Sequence, residues 1–468
     1  MAATDTAARV HRIETGLRGE ARVWSESPPP ATIEERLAFY AVPGLSVAVF
    51  ADGEVQWARG YGMRRAGTYD AVTPDTIFQA ASISKHVTAL AALRLVQEGK
   101  LALDEDVNTY LSSWQIPANG AWQPRITLRQ LLGHTAGLVY NWYPGYRRDA
   151  PLPTLPQTLD GAPPANTPPV HAVALPGTIN RYSGSHYSVV QQLLVDAAGQ
   201  PFPALMHDLV LDPLGMANSD FDPSFPDGRA AAPAHGHFIG GEPISDGWRV
   251  LPEMAAAGLW TTPTDLAKVA IEIGHAFHGR PTAFLTRATV DELLTPQIFD
   301  GFGLGTVLME EREGSRRFGH GGQNVGYECI TTAYLELGTG AVVMMNGEEG
   351  GNGLFEELLG TITREYGWPM ERPQRATVAI EAGSFGDLAG DYELRDGVTV
   401  TVTVREEASS LMLLFAGQPP VELLPRSETA FFARPLNIEV TFERDEDGAV
   451  NAIVLRQEWQ ETRARRQN

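Results

Sequence analysis

Residues 82–97 are apolar on more than one side: Val87, Leu90, Ala91, Leu93 and Leu95 crowd a helical pattern, and Gly99 stands where the helix would stop. A helix with no polar face has to be buried on several sides, so the rest of the chain must fold around it. Ser82 and Lys85 lie at its N-terminal end. Residues i and i+3 share a helix face, which lets the Lys85 amine reach the Ser82 hydroxyl without help from distant parts of the chain. A serine hydroxyl is a weak nucleophile until a base takes its proton, and an amine in a desolvated pocket can be that base. The partial positive charge at a helix start favours a serine alkoxide and anionic intermediates. Only three of the 36 basic residues are lysines (Lys85, Lys100 and Lys268). A lysine kept where arginine is the habit points to chemistry that needs a titratable amine. Taken alone, the pair also fits a helix N-cap serine beside a solvated lysine.

With 468 residues the chain exceeds one small core, and two domains, or one large domain with an appendage, are expected. There are 57 acidic residues and a net charge of −21, a field that repels nucleic acid and anionic membranes. No apolar run reaches the ~18 residues of a membrane-spanning helix. Residues 1–17 contain no apolar stretch of signal-peptide type, and Cys329 is the single cysteine, so no internal disulfide forms and a cytoplasmic location is expected.

Strand-like runs at 44–50 and 55–60 flank an Asp52-Gly53 turn and predict a hairpin. Residues 182–199 read as a second helix, and Thr262-Pro263-Thr264-Asp265 as the capping-box-like start of a third. Residues 328–346 read as two strands joined at Leu337-Gly338-Thr339-Gly340. Between 140 and 176 the chain is dense in Pro, Gly, Asn and Asp without a period, which predicts an irregular binding rim rather than a linker. Beyond Phe385 the pattern is β throughout: residues 398–404 alternate strictly, and shorter runs recur at 411–415, 438–442 and 449–455. The expected organisation is a first domain over 1–368, a linker over 369–380 and a small antiparallel barrel over 381–468.

Three more segments carry patterns of their own. They are Ile126-Thr127-Leu128-Arg129-Gln130-Leu131-Leu132-Gly133-His134-Thr135-Ala136-Gly137-Leu138, Pro176-Gly177-Thr178-Ile179-Asn180-Arg181-Tyr182-Ser183-Gly184, and Phe318-Gly319-His320-Gly321-Gly322-Gln323. With Ser82-Ile83-Ser84-Lys85, Pro213-Leu214-Gly215-Met216 and Ala257-Gly258-Leu259-Trp260, their order and spacing resemble the β-lactamase-related serine hydrolases. That group comprises class C β-lactamases, peptidase family S12 and family VIII esterases, and the likeness spans roughly residues 35–365. It implies an α/β domain of the β-lactamase/penicillin-binding-protein type, with an antiparallel sheet flanked by helices plus an all-helical region. The C-terminal part resembles the lipocalin-like barrel often appended to such hydrolases.

The resemblance implies Ser82 as nucleophile, Lys85 as its proton partner and Tyr182 as the group that shuttles the proton to the leaving group. It places an oxyanion hole on the backbone N–H groups of Ser82 and Gln323. Nearby positive groups would lower the pKa of Tyr182, and the shared pocket would push Lys85 toward neutrality. His320, Gly321 and Gly322 stand where the family carries Lys-Thr-Gly, and Gly184 where it carries the asparagine of Tyr-x-Asn; these are the implied substrate-contacting positions. A neutral imidazole attracts a carboxylate less than an ammonium does. Gly321 and Gly322 would let a substrate backbone lie against the strand edge. Without a side chain at Gly184, recognition of lactam amides is weakened more than ester cleavage.

Plainer roles stand beside these. His320 also fits a strand-edge hydrogen-bonding residue, His134 reads as structural, and Cys329 as an inert buried thiol. Trp142 and Tyr143 fit an acyl pocket or simple rim packing. The barrel fits a binding module or a stabilising or oligomerising appendage. No Gly-x-Ser-x-Gly elbow is present, which disfavours an α/β-hydrolase. The chain lacks His-Glu-x-x-His and Cys/His ligand spacing, so neither metal nor cofactor is expected. The expected function is a serine hydrolase cleaving small carboxylic esters, or amides and peptides of D-amino-acid type, through a Ser82 acyl-enzyme. A β-lactamase or DD-peptidase, or a non-catalytic ligand sensor on the same fold, are the alternatives. The expected partners are small-molecule substrates, with no nucleic acid and no membrane, and self-association is left open.

Overall fold

The computed structural model describes the chain apart from residues 1–2, 19–28, 223, 225–232, 281, 283, 299–300, 313, 349–352, 370–376, 379, 381–384, 396–397, 406–409, 416–417, 419, 434–437, 458–459 and 468. It divides into two compact units, Met1–Leu17 with Ala31–Met370, and Arg18–Pro30 with Glu371–Asn468. The expected linker at 369–380 lies largely outside the described residues.

In the first unit six strands form one antiparallel sheet: β1 (Gly44–Ala51), β2 (Glu54–Gly62), β3 (Val307–Arg312), β4 (Ser315–Asn324), β5 (Tyr327–Tyr334) and β6 (Thr339–Met345), in the spatial order β2-β1-β6-β5-β4-β3. The β1–β2 hairpin turns at Asp52-Gly53, where both residues have positive φ (57° and 80°), as a type I′ turn requires. β1 is buried along its whole length, so its alternate residues enter different cores. Leu45, Val47 and Val49 join Ala341, Val343 and Met345 of β6 in a core that includes Leu354, Leu358 and Ile362 of the helix Gly353–Tyr366. Val342 and Met344 face a second core with the helices α1 (Ile83–Gln97), α2 (Gly184–Ala198) and α3 (Pro263–Phe277). Twelve of the 15 residues of α1 are buried, which makes it the central helix its composition demands.

Helix starts follow their capping residues, with two local surprises. α2 begins at Gly184, because the Ser183 side chain caps it by accepting the Ser185 N–H (3.2 Å), and it ends at left-handed Gly199. Tyr182 therefore stands outside the helix. α3 is capped by Thr262, but the Asp265 carboxylate does not return to the cap; it accepts from the Asn218 N–H (2.9 Å) and Ser219 Oγ (2.9 Å) and pairs with Lys268 (2.7 Å). The irregular excursion at 140–176 holds one short helix, Leu155–Asp160, started by a Thr154/Gln157 capping box.

In the second unit eight antiparallel strands close into a barrel: Gly390–Arg395, Val398–Arg405, Ser410–Phe415, Val421–Pro425, Ala430–Ala433, Ile438–Arg444, Val450–Gln457 and Gln460–Arg466. Four of these were legible as alternating runs. Gln460–Arg466 was not, since Ala464 is its only buried residue among those whose burial is described. Closure leaves no free edge. The interior is packed by rings: Phe431 lies 5.9 Å from Phe385 and 5.4 Å from Phe442, which is 6.0 Å from Tyr392.

Candidate active site

A short antiparallel pairing of Phe78–Gln79 with Trp260–Thr261 delivers the chain to Ser82. The Ala80 N–H donates to the Leu259 carbonyl (2.8 Å), and Ala81 is held at φ +47°. A left-handed residue with a Cβ costs about 1–2 kcal/mol and persists only where its surroundings impose it. Gly322 of β4 is part of what imposes it. A Cβ there would lie 2.4 Å from the Ala80 carbonyl oxygen and 3.1 Å from the Ala81 Cβ, so only glycine lets the strand close over the turn. Packing against this turn is reason enough for a glycine at 322. Gly321, by contrast, is exposed, and a Cβ there would meet nothing nearer than the Cys329 carbonyl oxygen at 4.0 Å. Asn324 ties the end of β4 to the same region, donating to Gln79 Oε1 (2.8 Å) and the Ala257 carbonyl (3.0 Å).

Ser82 precedes α1 but does not cap it with its side chain; its backbone is already helical (φ −64°, ψ −12°). The hydroxyl instead accepts from Lys85 Nζ at 3.0 Å, and the amine's other acceptor is the Ala256 carbonyl at 2.8 Å. Lys85 is 3% exposed and forms no ion pair among the described residues. Burial alone pulls its pKa from 10.5 down to about 7. This is neither a cap serine nor a solvated lysine.

Tyr182 completes the cluster. Lys85 Nζ lies 4.9 Å from the centre of its ring, and its hydroxyl engages the Ser82 side chain. The expected lowering of its pKa does not occur. Burial raises the phenol above its ordinary value, and the hydrogen bond with Ser82 offsets only part of that. Tyr182 therefore carries its proton at neutral pH.

His320 sits 6.0 Å from the Tyr182 ring, centre to centre, and is 3% exposed. Its Nδ1 faces the Gly321 carbonyl, and its Nε2 is buried without a partner. Burial, then the charge of Lys85, lower its pKa to about 3, so it is a neutral imidazole in the pocket wall rather than a cationic hook. Gln323 is exposed at the end of β4, its side chain reaching Glu328 (3.3 Å). Gly184 has a reason local to this chain. A Cβ there would lie 2.4 Å from Tyr143 Cε2 and 2.9 Å from the Asn141 carbonyl oxygen. The space a Gly184 side chain would need is thus occupied by Tyr143, which is buried and hydrogen-bonded to Ser188 Oγ (2.7 Å). Its neighbour Trp142 is 53% exposed.

Sequence reasoning gave His134 only a structural role and passed over His86, His186 and the Ala256 carbonyl. Each of His86, His134, His186 and His320 is buried with an unpartnered Nε2, and desolvation holds each below its ordinary pKa. The charge of Lys85 adds to the effect at His134, His186 and His320. The amine thus has neutral imidazoles for neighbours. Among the described residues no group of three or more His, Cys, Asp or Glu side chains is placed to hold a metal ion.

A six-stranded antiparallel sheet between helical layers, with a serine and a lysine at the start of a buried helix, defines the penicillin-binding fold. The octameric penicillin-binding protein homologue from Pyrococcus abyssi superposes with a TM-score of 0.61 at 22% identity, over 92% of this chain and 98% of that one. Penicillin-binding protein 4 of Amycolatopsis lactamdurans is 27% identical over 376 residues, 76% of this chain and 94% of that protein. Esterase EstB of Burkholderia gladioli is 30% identical over 253 residues, 50% of this chain and 61% of that protein. Residues 30–359 match the Beta-lactamase family, and the chain belongs to it. Residues 374–467, which include the barrel strands, match a domain of unknown function (DUF3471). No helix among the described residues is long and apolar enough to cross a membrane.

Proposed function

We propose that this chain is a serine hydrolase that cleaves small carboxylic esters, or amides of D-amino-acid type, through an acyl-enzyme on Ser82. The observation that carries the reading is the desolvated Lys85 amine, without a carboxylate partner among the described residues, 3.0 Å from Ser82 Oγ, with Tyr182 beside both. A lysine with a pKa near 7 is half neutral at neutral pH, so Lys85 takes the Ser82 proton as Oγ attacks the acyl carbon. The tetrahedral oxyanion is met by the backbone N–H groups of Ser82 and Gln323. Tyr182, protonated, gives its hydrogen to the leaving oxygen or nitrogen and is recharged from the Lys85 ammonium. Water then attacks the acyl-enzyme by the reverse of these transfers.

Two features favour an ester over a lactam. Tyr143 fills the place beside Gly184 where the family's asparagine would meet a substrate amide, and His320 presents no positive charge to a carboxylate. The Amycolatopsis relative is named a penicillin-binding protein and the Burkholderia relative an esterase, so both chemistries belong to the family's range. The octameric state of the Pyrococcus homologue makes a homo-oligomer the form to look for by light scattering.

The test is intact-mass labelling with a fluorophosphonate beside turnover of p-nitrophenyl acetate. One adduct on the wild type is expected, none on Ser82→Ala, and a loss in kcat on the order of 10⁴-fold or more. Full turnover by Ser82→Ala would sink the reading, and nitrocefin cleaved as fast as the ester would move it to the β-lactamases.

A further inference from the structure

Among the described residues four non-glycine positions have a left-handed backbone, and two of them, Ala81 and His134, border the site. The strain at Ala81 belongs to the nucleophile turn. That at His134 (φ +58°) calls for its own account. In this conformation the His134 carbonyl accepts the Arg181 N–H at 2.9 Å, while its Nδ1 receives the Ser183 N–H at 3.4 Å. One residue thereby grips the chain on both sides of Tyr182. Its ring also lies against the Tyr182 ring, 4.4 Å centre to centre with a 42° tilt, and Phe302 meets the His134 ring edge-on (5.6 Å) and the Tyr182 ring at a tilt (5.9 Å).

The hydrogen bonds determine where the protons are. Because Nδ1 of His134 accepts from Ser183, it holds a lone pair, and the single proton of a neutral ring must be on Nε2. His186 Nδ1 lies 3.0 Å from that same Nδ1, so His186 is the donor of the pair. A ring that fixes the tautomer of its neighbour is the arrangement by which outer groups orient functional ones.

We propose that His134 is a positioning residue for Tyr182: it holds the phenol beside Ser82 and Lys85 through its carbonyl, its Nδ1 acceptor and its ring face, and the Nδ1–H of His186 locks it in the accepting tautomer. This rests on the reading of Tyr182 as the proton-transfer group. A residue that merely fills the core would need bulk at position 134 but no acceptor aimed at Ser183.

Three variants separate the two roles. His134→Asn tolerates the left-handed backbone and places Oδ1 near where Nδ1 was, so it is expected to restore kcat to within about tenfold of wild type. His134→Gln keeps the bulk but moves the acceptor beyond reach; a misplacement of about 1 Å costs on the order of 100-fold, and the loss is expected in kcat with KM and melting temperature little changed. His186→Phe removes the locking donor, and combined with His134→Gln it should cost less than the product of the two single losses. Equal kcat for the Asn and Gln variants, or losses that follow melting temperature, would overturn the proposal. A second arm needs no turnover: in ¹⁵N-histidine spectra of the wild type, His134 should be the Nε2–H tautomer and His186 the Nδ1–H tautomer, and the opposite assignment would overturn it as well. A wild type that takes up no fluorophosphonate counts against the reading of Ser82, while the tautomer result still decides the clamp.

Discussion

Two basic side chains of the same unit, one half-buried and one buried, are treated in opposite ways. Arg36, on the helix Ile33–Tyr40, is 16% exposed and is gripped by Glu357: Nε reaches Oε2 at 2.6 Å, Nη2 meets Oε1, and the Tyr40 hydroxyl donates to Oε1 at 2.7 Å. Burial works to lower the Arg36 pKa, but the hydrogen bond and charge of Glu357 outweigh it and hold the guanidinium above its ordinary value. Lys85, 3% exposed, has a hydroxyl and a carbonyl as its hydrogen-bond acceptors and no carboxylate partner among the described residues, so desolvation sets its pKa. Where the fold holds helices together it matches a charge with a charge. Beside Ser82 it withholds the counter-ion and so obtains a base.

The sharpest way to break this contrast is Lys85→Met, which keeps the length of the side chain and removes the amine. Turnover of p-nitrophenyl acetate should fall on the order of 10³-fold or more. Stability should move the other way, with a sign that depends on pH. The unfolded chain holds the Lys85 proton up to about 10.5 and the folded chain only to about 7, so this residue costs the fold its full penalty below pH 7, and the cost fades as pH rises toward 10.5. Lys85→Met is therefore expected to melt higher than wild type at pH 6 and to lose that advantage by pH 10; no gain at pH 6 would mean the amine is not desolvated. The same protonation governs activity, and kcat/KM should fall about tenfold per unit below pH 7, which a pH–rate profile checks. At the paired site, Glu357→Gln should cost about 3 kcal/mol in urea titration, since it leaves Arg36 without its anion, while kcat per folded molecule stays at the wild-type value. Tyr40→Phe removes one hydrogen bond to the same carboxylate and should cost about 1 kcal/mol.

What could be read from the residues was what depends on short separations or on an ordered motif set. Ser82 and Lys85 share a face by helix geometry alone, and the Asp52-Gly53 turn needs only its own two residues. The first unit and the closed barrel match the architectures expected of them. The features that were not legible depend on contacts across the fold. The pKa of Tyr182 turned on how deeply the ring is buried, which no local pattern states. The packing of Gly322 against Ala80 has no local sign, since Ala80 lies 242 positions earlier in the chain. Gly184 was read as a missing contact; that Tyr143 takes the space became visible only with the two side by side. The clamp at His134 escaped notice for a different reason. Histidine adopts a left-handed backbone more often than most residues but still rarely, and the pairing of His134 with His186 bridges two segments that show no common period.

Cys329 closes on the same turn as Gly322: its Sγ donates to the Ala80 carbonyl at 3.0 Å, it is fully enclosed, and burial pushes its thiol well above the usual range. It is also the chain's single sulfhydryl. An alkylating reagent can reach it only when the strand and the nucleophile turn part, so the unaltered protein contains its own clock for that opening. Alkylation kinetics then count how often Ser82 loses its support, with no dye, tag or substitution introduced, and a bound acyl group that steadies the turn should make the clock run slow.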